Sequence, residues 1–220
     1  MNKISRADHN WLAHKMNNES LARHLDSVSG VVIDLGCGTA PYKEDILPRA
    51  SQYVGLDWPQ SWHGNMNVDV CASLTRELPF RDGCTDTVVS FQVMEHLPEP
   101  VLFLGECYRL LKNGGRLLLT VPLMWQIHEA PHDYYRYTRY GLNYLLTKTG
   151  FSDVRIEEES GFWQMWGLKF NYYSKYFACG PVRCALISLW WFIQTVTPML
   201  DRYDPRPSET TGYIVVAEKR

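Results

Sequence analysis

The 220-residue sequence has no C-x-x-C pair, no Lys/Arg run longer than two residues and no unbroken apolar stretch of twenty residues. It also has no internal repeat and no low-complexity tract. Each absence removes a class of function. Cys37, Cys71, Cys84, Cys107, Cys179 and Cys184 give neither a zinc knuckle nor a thioredoxin-like pair, so they read as thiols in a reducing cytosol. A formal net charge of -2 and scattered basic residues supply no electrostatic footprint for a nucleic-acid partner. The opening MNKISRADHNWLAHK lacks the apolar core of a secretory signal, so a cytoplasmic location is expected.

What is present is core material. Hydrophobic residues make up 45%, with 8 Trp, 13 Tyr and 8 Phe. That is enough to bury the interior of one α/β domain, and disorder is not expected. Residues 1–29 are polar, with Trp11, Leu12, Met16, Leu21 and Leu25 in loose helical spacing. The run Val31-Val32-Ile33 with Leu35 predicts a strand over 30–35, buried on both faces. Further strands are predicted at 53–57, 67–70, 87–91, 116–121, 154–158 and 212–218. Helices are predicted near 42–47, with Pro41 in the first turn, and at 100–112 and 138–149. Asn113-Gly114-Gly115 reads as the stop of the second. The alternation is βαβα with a closing pair of strands. The fifty residues before the last strand are too long for a connection and hold twelve aromatic residues, among them Trp163, Trp190 and Trp191. They form an insertion with its own packing.

A doubly wound sheet places its ligand at the carboxyl ends of the strands, and three segments bring chemistry there. The first is Asp34-Leu35-Gly36-Cys37-Gly38-Thr39-Ala40. Gly36 and Gly38 permit a tight turn and close approach of ligand to backbone. A dinucleotide fingerprint needs a third glycine at position 41, which is Pro41. A carboxylate at Asp34 also repels pyrophosphate. A ligand carrying an ammonium fits better. The second is Asp57, 21 residues beyond Gly36, where an acid meets ribose hydroxyls. The third is Asp69, which reads either as an acceptor for an adenine amino group or as an Asx turn.

Four stretches, VVIDLGCGTAPY at 31–42, VGLD at 54–57, LPFRDGCTDTVVSFQVMEHL at 78–97 and LKNGGRLLLTVPL at 111–123, occur in an order that resembles the class I S-adenosylmethionine-dependent methyltransferases, in particular small bacterial members of the type 11 kind. The resemblance covers about 30–158 and the closing GYIVVAEKR. It implies an α/β fold: a Rossmann-like, doubly wound seven-stranded sheet in three α/β/α layers, mostly parallel with an antiparallel last strand. The whole of 1–220 is expected to form one methyltransferase domain. An N-terminal helical segment covers 1–29, the cofactor-binding core 30–158, the helical insertion or lid 159–211, and the closing strand 212–220. The resemblance implies S-adenosyl-L-methionine as cofactor. Asp34, Gly36 and Gly38, with Cys37 between them, meet its amino-acid portion. Asp57 binds ribose, with Trp58 beside it. Asp69 and Val70 flank adenine, and Gln92 and Val93 line the pocket. Ala40 stands where the family often has a third glycine. Glu95-His96 matches a family doublet and reads as organising its loop.

The segment 122–138 follows the fifth strand and faces the same edge. Its stretch from His128 to Thr138 resembles a sub-family found among bacterial cell-surface glycan genes. That implies a sugar, glycolipid or other small hydroxyl-bearing acceptor, and O-methylation in polysaccharide biosynthesis. Methylation of nitrogen and a non-catalytic adenosylmethionine-binding scaffold are the competing readings. Here His132 is the candidate base, with His128 second and Asp133 fixing the imidazole tautomer. Tyr134, Tyr135 and Arg136 are the candidate acceptor-binding residues. The spacing of His128, His132 and Asp133 matches no metal motif, so no metal site is expected. Residues 181–200 carry three readings: a helix buried against the domain or in a homodimer, a lid over the acceptor, or a helix at a membrane interface.

Overall fold

The structure is a computed structural model that describes residues 4–59 and 67–220. Among these, seven strands form one sheet: β1 (Gly30–Leu35), β2 (Ala50–Asp57), β3 (Val70–Cys71), β4 (Thr85–Phe91), β5 (Leu111–Pro122), β6 (Ser152–Glu158) and β7 (Gly212–Glu218). Their order across the sheet is β3-β2-β1-β4-β5-β7-β6. Pairings are parallel from β3 to β5, and β7 runs antiparallel to both neighbours. This is the expected mostly parallel doubly wound sheet.

The central strands are rich in apolar residues because helices cover both faces. Ile33, Leu35, Leu117, Leu119 and Val215 pack on one face with Phe103 and Leu104 of α3 (Pro100–Leu110) and Leu142 and Leu146 of α4 (Arg139–Lys148). Val32, Leu118 and Ile214 pack on the other with Leu21 of α1 (Trp11–His24) and Ile46 of α2 (Lys43–Ile46). Alternate residues of one strand thus serve opposite layers. Each leucine so buried contributes about 1.5–3 kcal/mol of transfer free energy.

Three boundaries differ from the sequence reading. The helix near 42–47 is a four-residue turn, and Pro41 precedes its cap Tyr42. The third strand shortens to two residues. The third helix stops at Leu110, where Leu111 turns extended into β5 and pairs with Thr85. Gly114 is therefore no helix stop: at φ +77° it sits in an irregularity of β5, with its N–H on the Lys219 carbonyl at 2.7 Å. A Cβ on Gly115 would meet the Lys112 carbonyl oxygen at 2.8 Å, so this bend needs glycine.

The insertion is a helical hairpin, α5 (Phe162–Ser174) and α6 (Gly180–Tyr203). Gly167 lets the two approach: a Cβ there would touch Ile193 and Thr197 at 2.8 Å. Asp201 of α6 accepts from the N–H groups of Gly161, Trp163 and Gln164, satisfying the open end of α5. The hairpin clasps the N-terminal segment. Leu168 packs on Leu12 and Met16, and Gln194 Nε2 donates to the Arg6 carbonyl. Trp166, Tyr173, Trp191 and Phe192 remain exposed. No helix among the described residues is long and apolar enough to cross a membrane.

Candidate active site

The strand order reverses between β1 and β4, where the loops after the two strands diverge and leave a crevice. A cavity of about 670 Å³ lies there. That is ample for a cofactor and part of an acceptor.

The turn after β1 forms its floor. Gly36 has φ +81°, and a Cβ on it would lie 2.5 Å from Val93 Cγ2. Gly36 and Cys37 both donate to the Leu56 carbonyl, and Gly38 donates to Asp57 Oδ2 at 2.6 Å. These N–H groups are spent within the protein, so the turn is no nest for pyrophosphate. Asp57 also accepts from the Trp58 N–H at 2.7 Å through Oδ1. It therefore locks the end of β2 to the glycine turn. Asp34 is buried. Its Oδ2 accepts from the Tyr53 hydroxyl at 2.5 Å, and its Oδ1 has no hydrogen-bond partner. Burial raises the Asp34 carboxyl to about 7, against the pull of Tyr53. Burial also pushes the Cys37 thiol up to about 12, which removes it as a nucleophile.

Of the residues expected at the cofactor, Asp34, Gly36, Cys37, Gly38, Asp57, Trp58, Gln92 and Val93 line the cavity. Asp69 and Val70 do not. The Asp69 carboxylate accepts from the Gly55 N–H at 2.8 Å, and the lining passes instead through Ser73, Leu74 and Thr75. His14 and Asn17 of α1 line it as well. Their three-residue spacing puts them on one helix face, a signal too common to mark a site from sequence.

The loop 122–138 closes the far wall, and Arg136 organises it. The guanidinium makes a two-pronged bond to Asp133, at 2.6 and 2.8 Å. Its other N–H groups reach the carbonyls of Trp125, Tyr135 and Gln126. All five donors are used, so Arg136 has none for an acceptor; this corrects its expected role. Asp133 also accepts from the His128 N–H, and its carboxyl is held well below the usual range, first by Arg136. The carboxylate expected beside His132 stands beside His128 instead, 3.4 Å from Nδ1. Burial lowers the His128 pKa, with the neighbouring His96 adding to the effect. His132 lines the cavity with its ring edge-on to Trp58 at 5.5 Å. Tyr134 lines it too. Tyr135 lies outside the lining and donates its hydroxyl to the Pro98 carbonyl. Tyr134 and Tyr135 both donate backbone N–H to the Glu95 carbonyl, which ties this loop to the turn after β4.

A family described as a methyltransferase domain matches residues 33–119. A protein of Mycolicibacterium smegmatis named "Probable S-adenosylmethionine-dependent methyltransferase" is 34% identical over 96 residues, 41% of this chain and 37% of that protein. A ubiquinone biosynthesis O-methyltransferase of Xanthomonas oryzae pv. oryzae is 28% identical over 110 residues, 46% of each. The matched stretch spans less than half the length of these curated relatives. The crystal structure of a SAM-dependent methyltransferase from Archaeoglobus fulgidus superposes with a TM-score of 0.62 at 16% identity, over 94% of each chain, a likeness of fold. With its glycine turn at the switch point of a seven-stranded sheet closed by an antiparallel strand, the chain has the fold of the S-adenosylmethionine-dependent methyltransferase structures, and its residues 33–119 match the methyltransferase domain family.

Proposed function

We propose that this protein transfers the methyl group of S-adenosylmethionine to a hydroxyl of a sugar, glycolipid or other small acceptor. The observation that carries the reading is a single cavity: the glycine turn, Asp34 and Asp57 line one side, and His128, His132 and Tyr134 the other. The O-methylating name of the Xanthomonas relative favours a hydroxyl acceptor.

The residues present fit the cofactor. Asp34 offers a buried, unpartnered oxygen to an ammonium. Asp57, at the carboxyl end of β2, lines the cavity where ribose hydroxyls would reach it. Adenosylmethionine supplies an electrophilic methyl on a sulfonium. The protein's part is to hold an acceptor oxygen in line with it, in a space enclosed by α1 and by the pinned loop. In this reading His132, which lines the cavity, receives the acceptor's proton.

Calorimetry tests the reading. Adenosylmethionine and adenosylhomocysteine should bind and NAD should not; binding of NAD alone would overturn it. Transfer of labelled methyl to a panel of nucleotide sugars and glycolipids tests the acceptor class.

Asp34 gives the binding a pH signature. Its carboxyl sits at about 7 in the free protein, so it holds a proton below that pH. Pairing with an ammonium needs the carboxylate, and cofactor binding must expel that proton. Affinity should climb about tenfold per pH unit towards 7 and then level, over a range below the titration of an α-amino group. Asp34→Asn should bind more weakly and without this slope. A slope unchanged in the variant would remove Asp34 from the ammonium site.

A further inference from the structure

The far wall of the cavity holds side chains that methyl transfer as described leaves unused. Glu95 is fully buried, and neither of its carboxylate oxygens has a hydrogen-bond partner. His96 Nε2 lies 3.7 Å from Glu95 Oε1, and His128 Nε2 lies 4.0 Å from the same atom. Both separations exceed hydrogen-bond distance. The ligand atoms of the three residues lie within 4.8 Å of one another, and Glu129 Oε2 is 3.8 Å from His96 Nε2.

The tautomers follow from the other ring nitrogens. His96 Nδ1 is 2.6 Å from the His132 carbonyl oxygen. A carbonyl only accepts, so Nδ1 carries the hydrogen and Nε2 the lone pair. His128 Nδ1 is 3.4 Å from Asp133 Oδ2 and also 3.4 Å from Arg136 Nη2. Arg136 Nη2 spends both hydrogens on the Gln126 carbonyl and Asp133, at 2.6 and 2.8 Å. A hydrogen on His128 Nδ1, facing the Asp133 carboxylate, leaves the lone pair on Nε2, the nitrogen nearer Glu95.

Two imidazoles and a carboxyl group thus converge, Glu95 buried and His96 and His128 partly exposed at the cavity. No hydrogen bond joins the three, and a cation would partner all of them at once. Two imidazoles and one carboxylate, with each outer N–H held by a carbonyl or carboxylate, match the donor set of divalent-metal sites that keep an open coordination position. The spacing of His128, His132 and Asp133 gives no ligand set, but the fold replaces His132 and Asp133 with Glu95 and His96. We propose that Glu95, His96 and His128 bind a divalent transition-metal ion of the zinc type, with a coordination position open to the cavity.

Ligands on a tetrahedral ion at about 2.0–2.2 Å lie about 3.3–3.5 Å apart, so these side chains draw in by about 1 Å. His96 and His128 line the cavity, so the open position faces the acceptor's space. Metal binding stands on this geometry alone; its use rests on the methyl-transfer reading. There, the ion would lower the pKa of an acceptor hydroxyl beside it, whose proton would pass to His132 as the oxygen bonds to the methyl carbon and the C–S pair returns to sulfur.

The test reads metal without turnover. Cys71, Cys179 and Cys184 are exposed, so the full chain is first given Cys→Ser at these three positions. It is loaded with Zn²⁺ or Co²⁺, desalted, and measured by plasma mass spectrometry and, for cobalt, visible absorption. One ion per chain is expected, with retention at least about tenfold lower in Glu95→Gln and His128→Gln. No retention by the parent, or undiminished retention in both variants, overturns the site. If Glu95→Gln does not fold, a Zn²⁺-induced rise in Tm of the parent that is absent in His128→Gln supports it, and an equal rise in both overturns it. Calorimetry with adenosylmethionine on the same samples separates the two readings. A chain that holds zinc but no adenosylmethionine keeps the metal site and loses the proposed function.

Discussion

Gly36→Ala is expected to weaken adenosylmethionine binding by at least about tenfold, the cost of one strained backbone position of 1–3 kcal/mol. Two effects combine at this residue. Its φ of +81° lies where a side chain is strained. Its new Cβ would also stand 2.5 and 2.8 Å from the two γ-methyls of Val93. Val93 is β-branched, with little rotamer freedom, so the β4 loop must shift. That loop and the glycine turn meet in the lining of one cavity, and the shift reaches Gln92 as well. Calorimetry and thermal melts check this: Tm should fall with affinity. Full affinity in Gly36→Ala would show that the turn does not set the cofactor's seat.

Arg136→Ala should abolish most turnover while adenosylmethionine still binds. The change leaves Asp133, whose side chain is only 2% exposed, without its counter-charge. It also leaves the carbonyls of Trp125, Gln126 and Tyr135 without their donors. Stranding one partner of a buried pair costs about 3–5 kcal/mol, and less here because Arg136 reaches solvent. That cost falls on the loop 122–138 rather than on the glycine turn. His128 and His132 lose their placement, and misplacement by an ångström slows a positioned reaction on the order of 100-fold. Arg136→Lys should not rescue it, because one ammonium cannot span five acceptor contacts. Steady-state kinetics beside calorimetry decides the matter. Cofactor affinity lost in step with turnover would refute a role confined to the loop.

The two substitutions divide the site as the sequence does. The cofactor side was legible because its chemistry is local. Asp34, Gly36 and Gly38 fall within five residues, and the strand before them announces itself by an unbroken apolar run. Asp57 was legible as a carboxylate closing the next strand. The acceptor side was not, because its pairings span the chain. Nothing in sequence told that Arg136 spends every donor inside its own loop, or that Asp133 faces His128 rather than His132. Asp69 fails for a related reason. Its position is right for a ligand, but its carboxylate is bonded to the Gly55 N–H and lies outside the cavity lining.

The sequence by itself determined the doubly wound sheet, its layers and the glycine turn at the cavity's floor. These rest on periodicity and backbone freedom, which neighbouring residues fix. Only the tertiary structure decided that α5 packs on α1 while α6 holds the segment before it, and that α1 carries His14 and Asn17 to the cavity. It alone brought Glu95 and His96, 32 or more residues before His128 in the chain, to within 4.8 Å of it. Such convergence depends on how the loops after β4 and β5 meet, which is set by the packing of the whole sheet rather than by any short stretch.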